Sequence, residues 1–130
     1  MNKLLTRGPV WELDIEQDAD WLFAKVGGQN QELTSYLSLS DRLWAIFRHH
    51  PVKWLVLELD SVQVNSSLAM QLVLLHKWIG RQGGMMRLSG LPRCQQHLLE
   101  TNTRCFHLRF AHYPNRESAV RADVRPSRPR

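Results

Sequence analysis

Apolar and polar residues alternate near the start of the chain, with Trp11, Leu13 and Ile15 set against Glu12 and Asp14. A period of two with one apolar side predicts a half-buried strand. Asp18-Ala19-Asp20 supplies a turn. Trp21–Val26 then predicts a second strand closed by Gly27-Gly28, so the pair forms a hairpin or meander. Gln29–Leu39 is polar and Ser-rich and reads as loop. Ser40 or Asp41 is placed to cap a helix through Leu43, Trp44, Ile46 and Phe47, which His49-His50-Pro51 ends. Trp54-Leu55-Val56-Leu57 is apolar without alternation, the pattern of a strand covered on both faces at the centre of a sheet. Val62 and Val64, in the connection that follows, are expected to point inward.

Ser66–Gln82 carries the clearest helical pattern. Leu68, Leu72, Leu75 and Ile79 fall on one core-facing stripe, and Gly83-Gly84 stops the helix. Met70, Leu74 and Trp78 form a second apolar stripe beside the first. A helix apolar on more than one side is either deeply buried or faces a partner. Met85, Met86 and Leu88 predict a short strand. Pro92 fits the first turn of a helix containing Leu98 and Leu99 and ending near Thr101-Asn102. Alternation over Phe106–His112 predicts a last strand, and Pro114-Asn115 precedes a short helix through Ala119 and Val120. The order is β-β-α-β-α-β-α-β-α. It predicts a single α/β domain with right-handed crossovers, a mixed sheet of four to five strands, and helices mainly on one face.

Composition narrows the function classes. A chain of 130 residues that is 43% hydrophobic can bury a core of its own as one domain. The net charge is +5, but Arg121, Arg125, Arg128 and Arg130 against Asp123 place +3 of it in the last ten residues, leaving +2 for the rest. The body is nearly balanced, so composition does not call for a nucleic-acid groove. Residues 1–120 are therefore read as the domain and 121–130 as a basic, disordered tail. No segment reaches the ~18–20 apolar residues of a membrane span, and no apolar signal region follows Lys3 and Arg7, so membrane insertion is not expected and cytoplasmic residence is. Cys94 and Cys105 make no disulfide framework and no Cys-x-x-Cys pair. Cys94, His97, Cys105 and His107 match no standard zinc pattern, so neither a metal nor a cofactor is expected. No Gly-rich phosphate loop or evident nucleophilic triad is present.

The chemistry then concentrates on Asn65-Ser66-Ser67, between the central strand and the long helix. Such residues cap helices in any protein. A phosphate at a first-turn serine also lies beside unpaired backbone N–H groups and the positive end of the helix dipole, where it is tolerated, while adding about −1.5 to −2 charge to a docking surface. Trp54–Leu59, Asn65-Ser66-Ser67, Leu68–Gly84 and the run from Gly83 to Leu91 resemble the STAS domain, whose simplest members are bacterial anti-sigma factor antagonists. The resemblance covers about Val52–Val120. It implies a non-enzymatic regulatory module that binds an anti-sigma factor of the histidine-kinase-like ATPase type, itself a serine kinase. It implies Ser66 as phosphoacceptor, with Ser67 the less favoured choice, and a docking surface of Asn65, Ser66, Ser67, Met70, Leu74 and Trp78. The family's usual Asp-Ser-Ser-Gly loop is altered here, with Asn65 for the acid and Leu68 for the glycine. Two alternatives stand beside this reading: a STAS-like subunit that docks without phosphorylation on a transporter or signalling assembly, and a small nucleotide-binding domain or enzyme. The oligomeric state is not legible in the sequence.

Overall fold

The computed structural model describes residues 3–7, 11–28, 36 and 38–122, the first five as backbone alone. In chain order the elements are β1 (Lys3–Arg7), β2 (Trp11–Asp18), β3 (Trp21–Gly28), α1 (Leu39–Arg48), β4 (Trp54–Ser61), α2 (Ser66–Arg81), β5 (Met85–Ser89), α3 (Arg93–Thr103), β6 (Ala111–Tyr113) and α4 (Arg116–Arg121). They build one mixed sheet whose strands lie side by side in sequence order. β1, β2 and β3 are antiparallel neighbours, whereas β3, β4, β5 and β6 run parallel. A helix connects each parallel pair, as parallel pairing requires a long crossover.

Period-two alternation sorts the side chains between two faces. Leu13, Ile15, Leu22, Ala24, Leu55, Leu57, Met86 and Leu88 point to one face and meet α1, α2 and α3 in the main core. The α2 stripe of Leu68, Leu72, Leu75 and Ile79 is fully buried there. Each such leucine contributes about 1.5–3 kcal/mol through burial. Trp21, Phe23 and Val56 point to the other face, where Ala119 and Val120 of α4 cover them together with Trp54 and Tyr113. Leu55, Val56 and Leu57 are all completely buried, which accounts for the unbroken apolar run in β4. The α/β class and the helices gathered mainly on one face stand as expected. Val62 and Val64 are buried, also as expected.

Four local expectations are corrected. The last strand is not Phe106–His112. A 3-10 turn occupies Arg104–Phe106, His107 takes a left-handed backbone conformation at φ 54°, and pairing with β5 begins only at Ala111. Alternation over Phe106–Phe110 does not make a strand because the 3-10 turn and the left-handed His107 turn the chain there, and only Ala111–Tyr113 pairs with β5. Neither Ser40 nor Asp41 caps α1. Ser38 holds the N-cap position at φ 70° with no side-chain bond, and Ser40 is buried in the first turn. Instead Gln71 of α2 supplies the cap, its Oε1 accepting from Ser40 N at 2.8 Å and Ser40 Oγ at 2.7 Å. β1 adds a strand in a stretch to which the sequence pattern assigned no element. Arg121 closes α4 rather than opening a tail. The expected tail from Asp123 onward, and most of the loop expected at Gln29–Leu39, lie outside the described residues.

Candidate functional site

The corner between β4 and α2 is held from three sides. Val62 and Val64 anchor it in the core, and Gln95 of α3 accepts from Val64 N at 2.6 Å. Asn65 has extended backbone and N-caps α2, its Oδ1 accepting from Leu68 N at 2.8 Å. Ala69 N donates to the Asn65 carbonyl at 3.0 Å and opens the helical ladder. Substituting such a cap costs about 0.5–2 kcal/mol. The amides of Ser66 and Ser67 belong to the first turn and have no acceptor within the helix.

The two serines differ in environment. Ser67 is partly buried, and its Oγ accepts from Tyr36 N at 2.8 Å. Tyr36 is itself buried, which raises its phenol above the usual range and keeps it neutral. Ser67 thus ties the segment before α1 to the start of α2. Ser66 is exposed. Of the two hydroxyls, only that of Ser66 stands open to a partner or a modifying enzyme.

The second apolar stripe of α2 is divided. Met70 is 43% exposed, one turn beyond Ser66. Leu74 and Trp78 are half-buried, and the Trp78 ring meets Trp44 of α1 with centroids 6.0 Å apart. Part of the stripe is therefore helix-packing surface, and its Ser66 end is open. Sequence reading overlooked Gln71 and Gln95, the two glutamines that fix this corner and the helix beside it. The signal was present for Gln71, a polar residue one turn from Leu68 on the core stripe. For Gln95 no signal exists, because its partner is a backbone N–H 31 residues away.

The other chemistry-bearing residues are apart from this corner. Cys94 and Cys105 are exposed free thiols. Among the described residues no group of three or more His, Cys, Asp and Glu could hold a metal ion. His76 stands edge-on to Phe110, and His112 Nε2 accepts from Leu91 N at 3.0 Å. Desolvation lowers the pKa of both imidazoles. On the opposite face of the sheet Arg116 lies over the Phe23 ring and bonds Glu58 at 2.5 and 2.8 Å and Glu16 at 3.1 Å. Burial acts against the Arg116 charge, but Glu58 and then Glu16 outweigh it and raise its pKa. Among the described residues no helix is long and apolar enough to cross a membrane.

No protein-family model matches the sequence, and no curated protein matches it. Solved structures do. A serine-to-glutamate variant of RsbS from Moorella thermoacetica, a STAS-domain protein, superposes with a TM-score of 0.68 over 83% of this chain and 91% of its own, at 14% identity. The chain has the STAS fold. A second match, from a structure titled as the molecular architecture of the stressosome, a signal integration and transduction hub, has a TM-score of 0.64. It is 16% identical and covers 82% of this chain and 91% of that one. The STAS fold places the serine corner at the end of the central strand β4, where the covered core meets solvent.

Proposed function

We propose that this STAS domain is a regulatory protein-binding module that docks an anti-sigma factor kinase through the corner from Asn65 to Ser67 and the Met70 end of α2. Phosphorylation of Ser66 opposes that docking. The observation that carries the reading is the division between the serines: the Ser67 hydroxyl holds Tyr36, and the Ser66 hydroxyl is exposed. A phosphate on Ser66 would sit against the free amides of the first turn without disturbing the core. It would also bring about −1.5 to −2 charge beside Met70. Binding would be lost while the fold remained. The domain carries no reaction of its own in this scheme. The likeness to a structure titled as the stressosome, a signal integration and transduction hub, supports a role in signal transduction, and the cytoplasm is the compartment proposed for it.

One observation favours a second reading. The Asn65 side chain is engaged as the cap, and the first turn of α2 holds no carboxylate to assist phosphoryl transfer. A subunit that docks permanently on a signalling assembly needs neither. Affinity capture from native extract, followed by mass spectrometry of the bait, separates the two. The switch predicts an ATPase-type kinase partner, phosphate on Ser66, and loss of capture by Ser66→Asp but not by Ser66→Ala. Capture unaffected by Ser66→Asp, with both serines unmodified, overturns the switch in favour of permanent docking.

A further inference from the structure

The far end of α2 offers a surface of different chemistry. α1 and α2 finish beside the starts of β4 and β5, and between them opens a cleft of about 420 Å³ lined by Trp44, Phe47, Arg48, His50 and Lys53. The turn Gln82–Gly84 closes its other wall. Gly83, at φ 77°, stops α2, and a Cβ at Gly84 would lie 2.7 Å from the Lys53 carbonyl, so the wall is built tight against β4. Trp44 and Phe47 supply its aromatic lining, and Trp78 packs behind Trp44. Trp44 meets Trp78 at 6.0 Å and Phe47 at 6.2 Å, and the Arg48 guanidinium lies 5.8 Å above the Trp44 ring.

The rim is cationic and uncompensated. Arg48 and Lys53 are exposed in the cleft, and Lys77 and Arg81 are exposed on the last turns of α2. None of the four makes an ion pair among the described residues. The sequence holds no acid between Asp41 and Glu58, nor between Asp60 and Glu100. Asp20 adjoins Lys53 through its backbone, its carbonyl accepting from Lys53 N at 3.0 Å and Trp54 N at 3.2 Å. The carboxyl-terminal ends of two helices each present roughly half a negative charge here, which disfavours an anion. The two full charges that line the cleft, Arg48 and Lys53, therefore outweigh the two half-charges of the helices. Long side chains left unpaired around half-buried tryptophans are the composition of protein-binding hot spots, in which Trp and Arg are enriched.

We infer that this pole docks an acidic segment of a partner protein, with an apolar side chain seated against Trp44 and carboxylates meeting Arg48 and Lys53. A protein segment fits better than nucleic acid. Arg48 and Lys53 face one cleft rather than track a backbone, and the opposite sheet face carries Glu12, Asp14, Glu16, Glu58 and Asp60. The surface is separate from the serine corner, since α2 spans 16 residues, about 1.5 Å each along its axis.

The experiment is a titration of the isotopically labelled full chain with a short peptide of Glu and Asp around a single Leu, followed by NMR. Saturable shifts are expected at the Trp44 and Trp78 indoles and at the Gly83 and Gly84 amides, weakening as salt is raised. Arg48→Glu and Lys53→Glu together should weaken binding by roughly tenfold or more, about 1.4 kcal/mol per decade. Both residues are exposed, so the fold should survive, as an unchanged thermal melt would verify. Ser66→Asp should leave this binding unaltered, which separates it from the switch at the other end. No saturable shift at millimolar peptide overturns the inference. So does a charge-reversed variant that binds like the parent, tighter saturation of the same residues by a single-stranded oligonucleotide, or self-association of the chain through this cleft.

Discussion

On one face of the sheet α1, α2 and α3 bury a continuous apolar core; on the other, among the described residues, α4 alone, six residues long, covers a small aromatic cluster. The first face is secured by area. The second depends on a few charge-assisted bonds. Arg87, buried on β5, donates Nη1 to the Ala119 carbonyl and to the Ala122 carbonyl at 3.2 Å, and its guanidinium lies 5.7 Å from the Trp21 ring and 5.3 Å from the Tyr113 ring. A cation at the carboxyl end of α4 complements its dipole and satisfies its last carbonyls. Arg116 ties the front of the same helix to Glu58 and Glu16. The difference explains how so short a helix is retained. Six residues cannot bury much area, so two arginines hold them by direction rather than by bulk.

The comparison is open to tests of decreasing size. The largest effect is expected on the first face: Leu57→Ala, at a fully buried position in the central strand, should destabilise by about 2–5 kcal/mol. Urea unfolding followed by tryptophan fluorescence measures it. Arg87→Ala should cost less, about 1–3 kcal/mol, because it strands two carbonyls without opening the main core. It should also release α4, seen as faster amide exchange at Ala119 and Val120 with little change in α2. A loss as large as that of Leu57→Ala, or exchange that spreads to α2, would mean that the two faces are not separately secured.

The smallest effect is one of pH. Desolvation lowers the pKa of His76 and His112, so the unfolded chain takes up their protons at higher pH than the folded one. The stability they contribute is full above the ordinary imidazole pKa, about 6.5, and declines as pH falls through it toward their folded values. Protonation at Nε2 would also remove the acceptor that His112 offers to Leu91 N. Urea midpoints should therefore fall between pH 7 and pH 5, and the fall should shrink in His112→Gln. An unchanged fall in that variant would assign the effect to other groups.

Much of the fold was legible because it follows from local periodicity. The alternation of Trp11, Leu13 and Ile15, the unbroken run in β4 and the Leu68 to Ile79 stripe each require a particular burial, and each obtained it. Asn65 and Asn115 cap their helices through bonds to residues three positions ahead, which sequence spacing can display. Expectations failed where the deciding partner was remote. The alternation at Phe106–Phe110 did not pair with β5, which the chain joins only from Ala111, and Ser40 lost its capping role to a glutamine 31 residues away.

By itself, the sequence determined that this chain forms an α/β domain, that β4 lies inside it, and that a pair of serines opens its longest helix. Those features depend on contacts within a few residues or on the average polarity of a face. Only the tertiary structure decided that Ser67 is engaged by Tyr36 while Ser66 is open. It alone brought Trp44, Arg48 and Lys53 into one cleft. Both outcomes arise from long-range approach of groups whose local sequences carry no mark of one another, so only the packing of helices on the sheet could set them.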